Sequence, residues 1–237
     1  MALAKDGNAS LNDLALSVGI PPSTTHRLLV TMQNLGFVDY NAQLQEWAIG
    51  LETFRVGNKY LDRTNLVESS RLILRRLMDD SGETANLAIR DQGDVVFLSQ
   101  VETHNPIRAF FRPGVRGHMH SSGIGKVLLA NLPRSEVERI LHKKGLPQFT
   151  PKTLTTPTDL FHSLDEIKQR GWSLDDEERC LGMRCIAAPI YNSYGEAIAG
   201  ISVSGPTVRF PEIELSEIGA RVRKAADEVT GLIGGKF

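Results

Sequence analysis

Residues 172–206, WSLDDEERCLGMRCIAAPIYNSYGEAIAGISVSGP, constrain the fold more than any other stretch. Residues 196–204 alternate: Ala197, Ala199, Ile201 and Val203 share one face, and Ile198, Gly200, Ser202 and Ser204 share the other. Successive side chains of a strand point to opposite faces, so the apolar set must pack on helices. Residues 184–191 read as a second strand, with Cys185, Ala187, Pro189 and Tyr191 on one face. Gly200 lets backbone or ligand approach closely. Ser202 and Ser204 place two hydroxyls about 7 Å apart, from ~3.4 Å per residue, and suit one carboxylate or hydroxyl group. On the residues alone, a solvent-facing polar strand face is the favoured reading. Cys185 is a small thiol of a size to line a pocket, but a lone cysteine is more often a buried hydrophobe than a ligand contact. Asp175, Asp176, Glu177 and Glu178 read as a solvated acidic loop with one member free to turn inward.

The elements before and after fix the class. Residues 84–90 and 94–101 form a hairpin around Asp91-Gln92-Gly93, and 106–111, PIRAFF, reads as a further strand. Helical spacing is found at 123–131, 134–143 and about 159–169. A last amphipathic helix, about 213–233, presents Leu215, Ile218, Val222, Ala226, Val229 and Ile233. Strands, then helices, then strands give an α+β domain with an antiparallel sheet. In HMHSSGIGK, 118–126, a Gly-rich turn enters a helix whose N-terminal N–H groups attract an anion. Its spacing is not that of a P-loop. His118, His120, Asp175 and Cys185 match no metal-ligand spacing. Neither a metal nor a cofactor is expected.

The first quarter has a different pattern. Leu11, Leu14, Ala15 and Val18 repeat helically behind Ser10, a capping residue, and Gly19 stops the run. Pro21 and Pro22 open a second helix, with Leu28, Leu29, Met32 and Leu35 as its buried stripe and Gly36 after it. Two short helices across such a turn form a helix-turn-helix. Phe37–Tyr40 and Glu46–Gly50 add two strands, a wing. The second helix exposes Ser23, Thr24, Thr25, His26 and Arg27, donors suited to phosphates and base edges of double-stranded DNA. A solvated polar face capped by Ser23, or a dimerisation module, fits the composition about as well. Residues 51–62 and 65–80 continue as helices, with Leu66, Ile73, Leu74, Leu77 and Met78 as the buried side of the latter. The domain boundary is expected near 64–66, with residues 1–64 as the head and 65–237 as the second domain.

Charge argues against a nucleic-acid partner. Residues 1–64 hold five basic and six acidic residues, a net of −1, where DNA-binding heads are usually basic. No apolar run approaches the ~18 residues that span a bilayer, and MALAKDGNAS lacks the pattern of a secretory signal, so a cytoplasmic protein is expected. Two cysteines make no disulfide framework.

PSTTHRLLVTMQNLGFV with WAIG resembles the head of IclR-type transcriptional regulators. The likeness continues through SGETANLAI, HSSGIGKVLLA, QFTPKTL, RGWSLDDEERCLGMRCIAAPI and ISVSGP, across roughly the whole chain. It implies a winged helix-turn-helix joined by a helical connector to a GAF/PAS-like effector domain with a curved antiparallel sheet. It also implies a homodimer or tetramer on a pseudo-palindromic operator, probed by a small carboxylate-like metabolite. By position, the effector contacts implied are Gly123, Ile124, Asp175, Cys185, Ser202 and Ser204. Three departures stand out. Only Met1 to Lys5 remain for the usual first helix, as in a trimmed start. Position 124, commonly Ala, is Ile. Pro106, Ala109 and Gly117 stand where relatives often carry Leu or Met. Two other functions compete with a DNA-binding repressor: a sensor whose head no longer binds DNA, and an enzyme with Cys185 as nucleophile and His118 or His120 as base. Nothing supplies a catalytic signature for the latter.

Overall fold

The computed structural model describes residue 3 and residues 7–64, 66–109 and 111–236, without the side chains of 58–64. Contacts divide the chain into two compact units, 1–64 and 65–237.

The first unit runs β1 (Asn8–Ser10), α1 (Leu11–Val18), α2 (Pro22–Asn34), β2 (Val38–Asn41), β3 (Glu46–Ile49) and α3 (Leu51–Thr64). Ser10 caps α1, accepting the Asp13 N–H at 3.3 Å and donating to the Asp13 carboxylate at 2.7 Å. Such a cap stabilises a helix by about 1 kcal/mol. Gly19, in the left-handed region, ends α1, and Pro22 opens α2. The three strands form an antiparallel sheet, β1-β3-β2, so the wing is a hairpin with an added edge strand that the sequence pattern did not reveal. The remnant expected at Met1–Lys5 lies outside the described residues except Leu3, which is helical and buried.

The expected stripe of α2 needs correcting. Leu29 is buried, whereas Leu28, Met32 and Leu35 are 51, 41 and 60% exposed. Among the described residues the core of this unit is built from Leu3, Leu14, Leu29, Val38 and Trp47, and on α2 it meets Thr25, Leu29 and Val30. Leu51, Phe54 and Val56 of α3 are also exposed; Leu61 lies among the undescribed side chains.

The second unit runs α4 (Leu66–Ser81), β4 (Thr84–Asp91), β5 (Asp94–Val101), β6 (Arg116–His118), α5 (Gly123–Ala130), α6 (Arg134–Lys144), α7 (Pro157–Arg170), β7 (Ser173–Asp176), β8 (Met183–Tyr191), β9 (Ala197–Pro206) and α8 (Leu215–Leu232). The six strands form one curled antiparallel sheet in the order β6-β5-β4-β9-β8-β7. Its two faces bury different cores. One holds Ala199, Ile201 and Val203 with the expected apolar sides of α4 and α8. The other holds Ala88, Phe97 and Ala187 with α5, α6 and α7.

The strand expected at 106–111 is absent from the described residues of that stretch, and β6 takes the edge beside β5 instead. Pro106 has no N–H for a ladder. Arg108 is held to Glu102 at 2.7 Å, and the Phe111 ring lies against Phe97. Phe110 falls outside the described residues. A turn with Gly114 at φ 85° then returns the chain to the sheet. The acidic loop expected at 175–178 begins as a strand, β7, whose alternation buries Ser173 and Asp175.

Candidate functional site

Antiparallel register builds a floor from distant stretches of sequence. Across the sheet, Asp175 lies opposite Cys185, Cys185 opposite Ser204, and Ser204 opposite Thr84. One rung away, Ser173, Ala187, Ser202, Asn86 and Gln100 line up in the same manner. Cross-strand partners share a face, so two rows of small polar groups lie side by side. The Asn86 amide sits 3.4 Å from Ser202 Oγ, 3.3 Å from Ser204 Oγ and 2.9 Å from the Gln100 amide. All three of Asn86, Ser202 and Ser204 are buried.

Helix α5 lies over this floor because glycine admits it. A Cβ on Gly123 would lie 2.9 Å from Cys185 Sγ, and one on Gly125 would lie 2.2 Å from the Met119 carbonyl oxygen. Ile124 packs its Cγ2 where Gly200 has no side chain, 2.7 Å from a Cβ built there. Between floor, helix and the 106–118 segment remains a cavity of about 730 Å³. Ile124, Asp175, Cys185, Ser202 and Ser204 line it together. Gly123 is not among its lining residues; it sets the distance of approach, and its carbonyl accepts from Ser173 Oγ at 2.7 Å.

Asp175 is the chemically unusual group of the floor. Burial, then the neighbouring Glu178 charge, push its pKa from 3.8 up to about 7. Lys126 and the N–H groups of Glu178 and Arg179 pull the other way. Cys185 is pushed up to about 11, first by burial and then by Asp175. A thiol that keeps its proton is not a nucleophile. Beside the floor, Lys126 is 1% exposed; its ammonium donates to the Leu174 carbonyl at 2.6 Å and pairs with Glu178. Burial raises the pKa of Glu178.

The outer part of the cavity is aromatic. Phe97 and Phe111 stack at 4.3 Å, and Arg179 lies over Phe149, 3.9 Å from the ring centre. His118 meets Phe149 at 5.2 Å; burial and Arg179 hold its pKa below the usual value. His120 is tied to the Pro147 carbonyl at 3.0 Å. Ala109 and Gly117 leave the wall thin.

In the first unit, Ser23, Thr24, His26 and Arg27 are exposed on the first turns of α2. Thr25 is a correction: it is 6% exposed, and its hydroxyl donates to the Ile20 and Pro21 carbonyls at 3.3 and 3.2 Å. It faces inward because it falls on the same edge as Leu29, one turn away. His26 meets Trp47 edge-on at 6.3 Å, which ties the helix to the wing.

Two family models match the chain. Residues 58–230 match the model of the bacterial transcriptional regulator IclR C-terminal domain, and residues 2–42 match the IclR helix-turn-helix domain. This chain belongs to the IclR family. It is 47% identical over 228 residues to the HTH-type transcriptional regulator BhcR of Paracoccus denitrificans, covering 96% of this chain and 82% of that relative. It is 44% identical over 232 residues to the transcriptional repressor IclR of Escherichia coli, covering 97% and 85%. The crystal structure of Thermotoga maritima IclR superposes with a TM-score of 0.76 at 28% identity, covering 96% of this chain and 92% of that one. The IclR relatives are regulators and repressors, so this IclR chain is a transcriptional regulator with a DNA-binding head and an effector domain, and not an enzyme. Among the described residues no helix is long and apolar enough to cross a membrane.

Sequence reading missed Asn86, Gln100 and Lys126, and left open which of the acids 175–178 turn inward, where Asp175 and Glu178 both do. Asn86 is joined to Ser202 by pairing between β4 and β9, more than a hundred residues apart, and Gln100 to Asn86 by pairing between β4 and β5; no local pattern carries that register. Lys126 had a signal: a lysine inside GIGKVLLA, a helix apolar on every other non-glycine position.

Proposed function

We propose that this IclR-family regulator is a repressor that holds a pseudo-palindromic operator as a dimer or tetramer and releases it when a small organic acid fills the cavity. Residues 1–64 serve as the DNA-binding head, with α3 as connector, and 65–237 as the effector-binding and oligomerising domain. The observation that carries the reading is the floor of buried Asp175, Ser202 and Ser204 with half-buried Cys185 beneath an open cavity. Hydroxyls donate to a carboxylate. A carboxyl with its pKa near 7 donates too while protonated, and a bound anion holds its proton in place. Ile124 contributes an apolar wall, and Gly123 the closeness of α5.

On the head, Ser23, Thr24, His26 and Arg27 contact the operator, with two heads of a symmetric dimer on two half-sites. An effector shifts the equilibrium only as far as it binds the released arrangement more tightly than the DNA-competent one.

The test uses the full chain and a duplex selected from a random pool. Gel shifts with a panel of small acids identify those that release DNA. Ser202→Ala with Ser204→Ala is expected to raise the acid needed by about tenfold or more, each lost hydrogen bond to a charged group costing ~1.5–3 kcal/mol, with DNA binding intact. An unchanged release curve removes the floor from the effector site. Arg27→Ala is expected to weaken binding to all sequences and lower the salt slope by about one. Full-strength shifts with this variant remove Arg27 from the contacts.

A further inference from the structure

Among the described residues, three polar side chains of the cavity lining, Ser121, His118 and Arg179, have no polar side-chain partner, and the last two lie against Phe149. Ser121 is 1% exposed, and its hydroxyl has no hydrogen-bond partner. His118 meets only the rings of His120 and Phe149 among the described residues. Arg179 lies on the Phe149 ring and forms no ion pair among the described residues, whereas the other two cavity arginines are engaged: Arg108 with Glu102 and Arg184 with Asp176. Of the neighbouring acids in sequence, Asp176 and Glu177 are held by Lys152, Asp176 also by Arg184, Glu178 by Lys126, and Asp175 by backbone N–H groups of Glu178 and Arg179. A buried hydroxyl without a partner costs ~1–3 kcal/mol, so a group that enters the cavity and accepts from it recovers that cost.

Resting on the reading of this cavity as the effector site, we propose that Arg179, His118 and Ser121 form a second acid-binding subsite and that the effector is a dicarboxylate. One carboxylate meets Ser202, Ser204 and the protonated Asp175. The other meets the Arg179 guanidinium, with N–H and O–H donors from His118 and Ser121. The body of the ligand lies along Phe97, Phe111 and Ile124. Size agrees with two ends. A two-carbon acid fills only a small part of about 730 Å³, and the thin wall at Ala109 and Gly117 keeps the remainder open. Charge agrees as well: Arg179 is the cavity cation left for an anion after the pairs above are counted.

Calorimetry on the full chain separates the outcomes. The probes are succinate, glutarate and adipate against the monocarboxylates butyrate, pentanoate and hexanoate. The dicarboxylates are expected to bind about tenfold tighter or more than the monoacids of equal length. Arg179→Gln is expected to erase that difference and leave monoacid affinity unchanged. Ser121→Ala is expected to remove part of it. Arg179 is exposed, so its variant tests binding rather than folding, and an unchanged melting temperature confirms this. Equal binding of the two series, abolished by Ser202→Ala with Ser204→Ala, overturns the second subsite and keeps the first. Equal weakening of both series by Arg179→Gln also overturns it, because Arg179 then serves the same carboxylate as the floor. If neither series binds, or if the double serine variant changes nothing, the effector reading itself fails and the second subsite with it.

Discussion

Ser121 and Lys126 are five residues apart at the start of one helix, and each is 1% exposed. Their surroundings differ in kind. Lys126 is enclosed by chain: a carbonyl of β7, the Glu178 carboxylate beside it, and no share in the cavity wall. Ser121 is on the cavity wall with nothing to bond to. A buried ammonium without partners is far too costly to survive, whereas a buried hydroxyl is affordable until a ligand arrives. Burial alone therefore does not separate structural from functional polar groups in this domain. Ser121 is set apart by a hydroxyl that is both unpartnered among the described residues and on a residue of the cavity wall. Glu178 Oε2 is also without a partner, but it belongs to the enclosed pair and lies off the cavity wall.

The strongest way to break this contrast is Lys126→Met. It strands the Glu178 carboxylate in the interior, and a loss of about 3–5 kcal/mol in urea unfolding is expected. Adding Glu178→Leu is expected to recover much of it, because apolar replacement of a buried pair is often neutral. If Lys126→Met is harmless, the pair is not the brace described above. Next in size is Asn86→Ala. It removes the amide beside Ser202 and Ser204, and a loss of about 1–3 kcal/mol is expected, together with weaker acid binding. Stability lost without any change in binding would place Asn86 with Lys126 rather than with the floor.

Asp175 sharpens the contrast through pH. Its folded pKa, about 7, lies above its ordinary 3.8. The protonated form is the one the fold prefers, so its contribution is full below pH ~4 and is lost as pH rises through about 7. The stability gap between the wild type and Asp175→Asn is expected to narrow or reverse across that window, by up to ~1.4 kcal/mol per pH unit. Asp94, Asp176 and Glu177 are held below the usual carboxylate range by basic partners, so they act at the acid end and in the opposite direction. A gap independent of pH from 5 to 8 would mean that Asp175 is ionised throughout. The smallest expected effect on folding is Ser121→Ala, within about 1 kcal/mol and toward greater stability, since an unpartnered hydroxyl is removed. A clear loss in thermal melting would reveal an internal partner and end its role as an open donor.

Much of this was legible in the chain. Alternation at 196–204 gave the right face to Ser202 and Ser204, and helical spacing gave the buried sides of α4 and α8. What failed did so for want of tertiary context. Leu28, Met32 and Leu35 look like a stripe, but among the described residues the core of the head meets Thr25, Leu29 and Val30 instead. The 106–111 stretch has strand composition, yet Pro106 and the ties of Arg108 and Phe111 take it out of the ladder. Asn86 reads as an ordinary strand residue until the register of β4 on β9 sets it beside the serines.

That register has a genetic consequence. The floor is assembled from β4, β7, β8 and β9, and a slip of one residue in β9 would turn Val203 and Ile201 inward and the serines outward. Such a molecule would keep its helix-turn-helix. Under the repressor reading proposed above, it would stay on its operator whatever acid is present. On that reading, loss of pairing fidelity in this sheet surfaces as an uninducible allele rather than as a simple null.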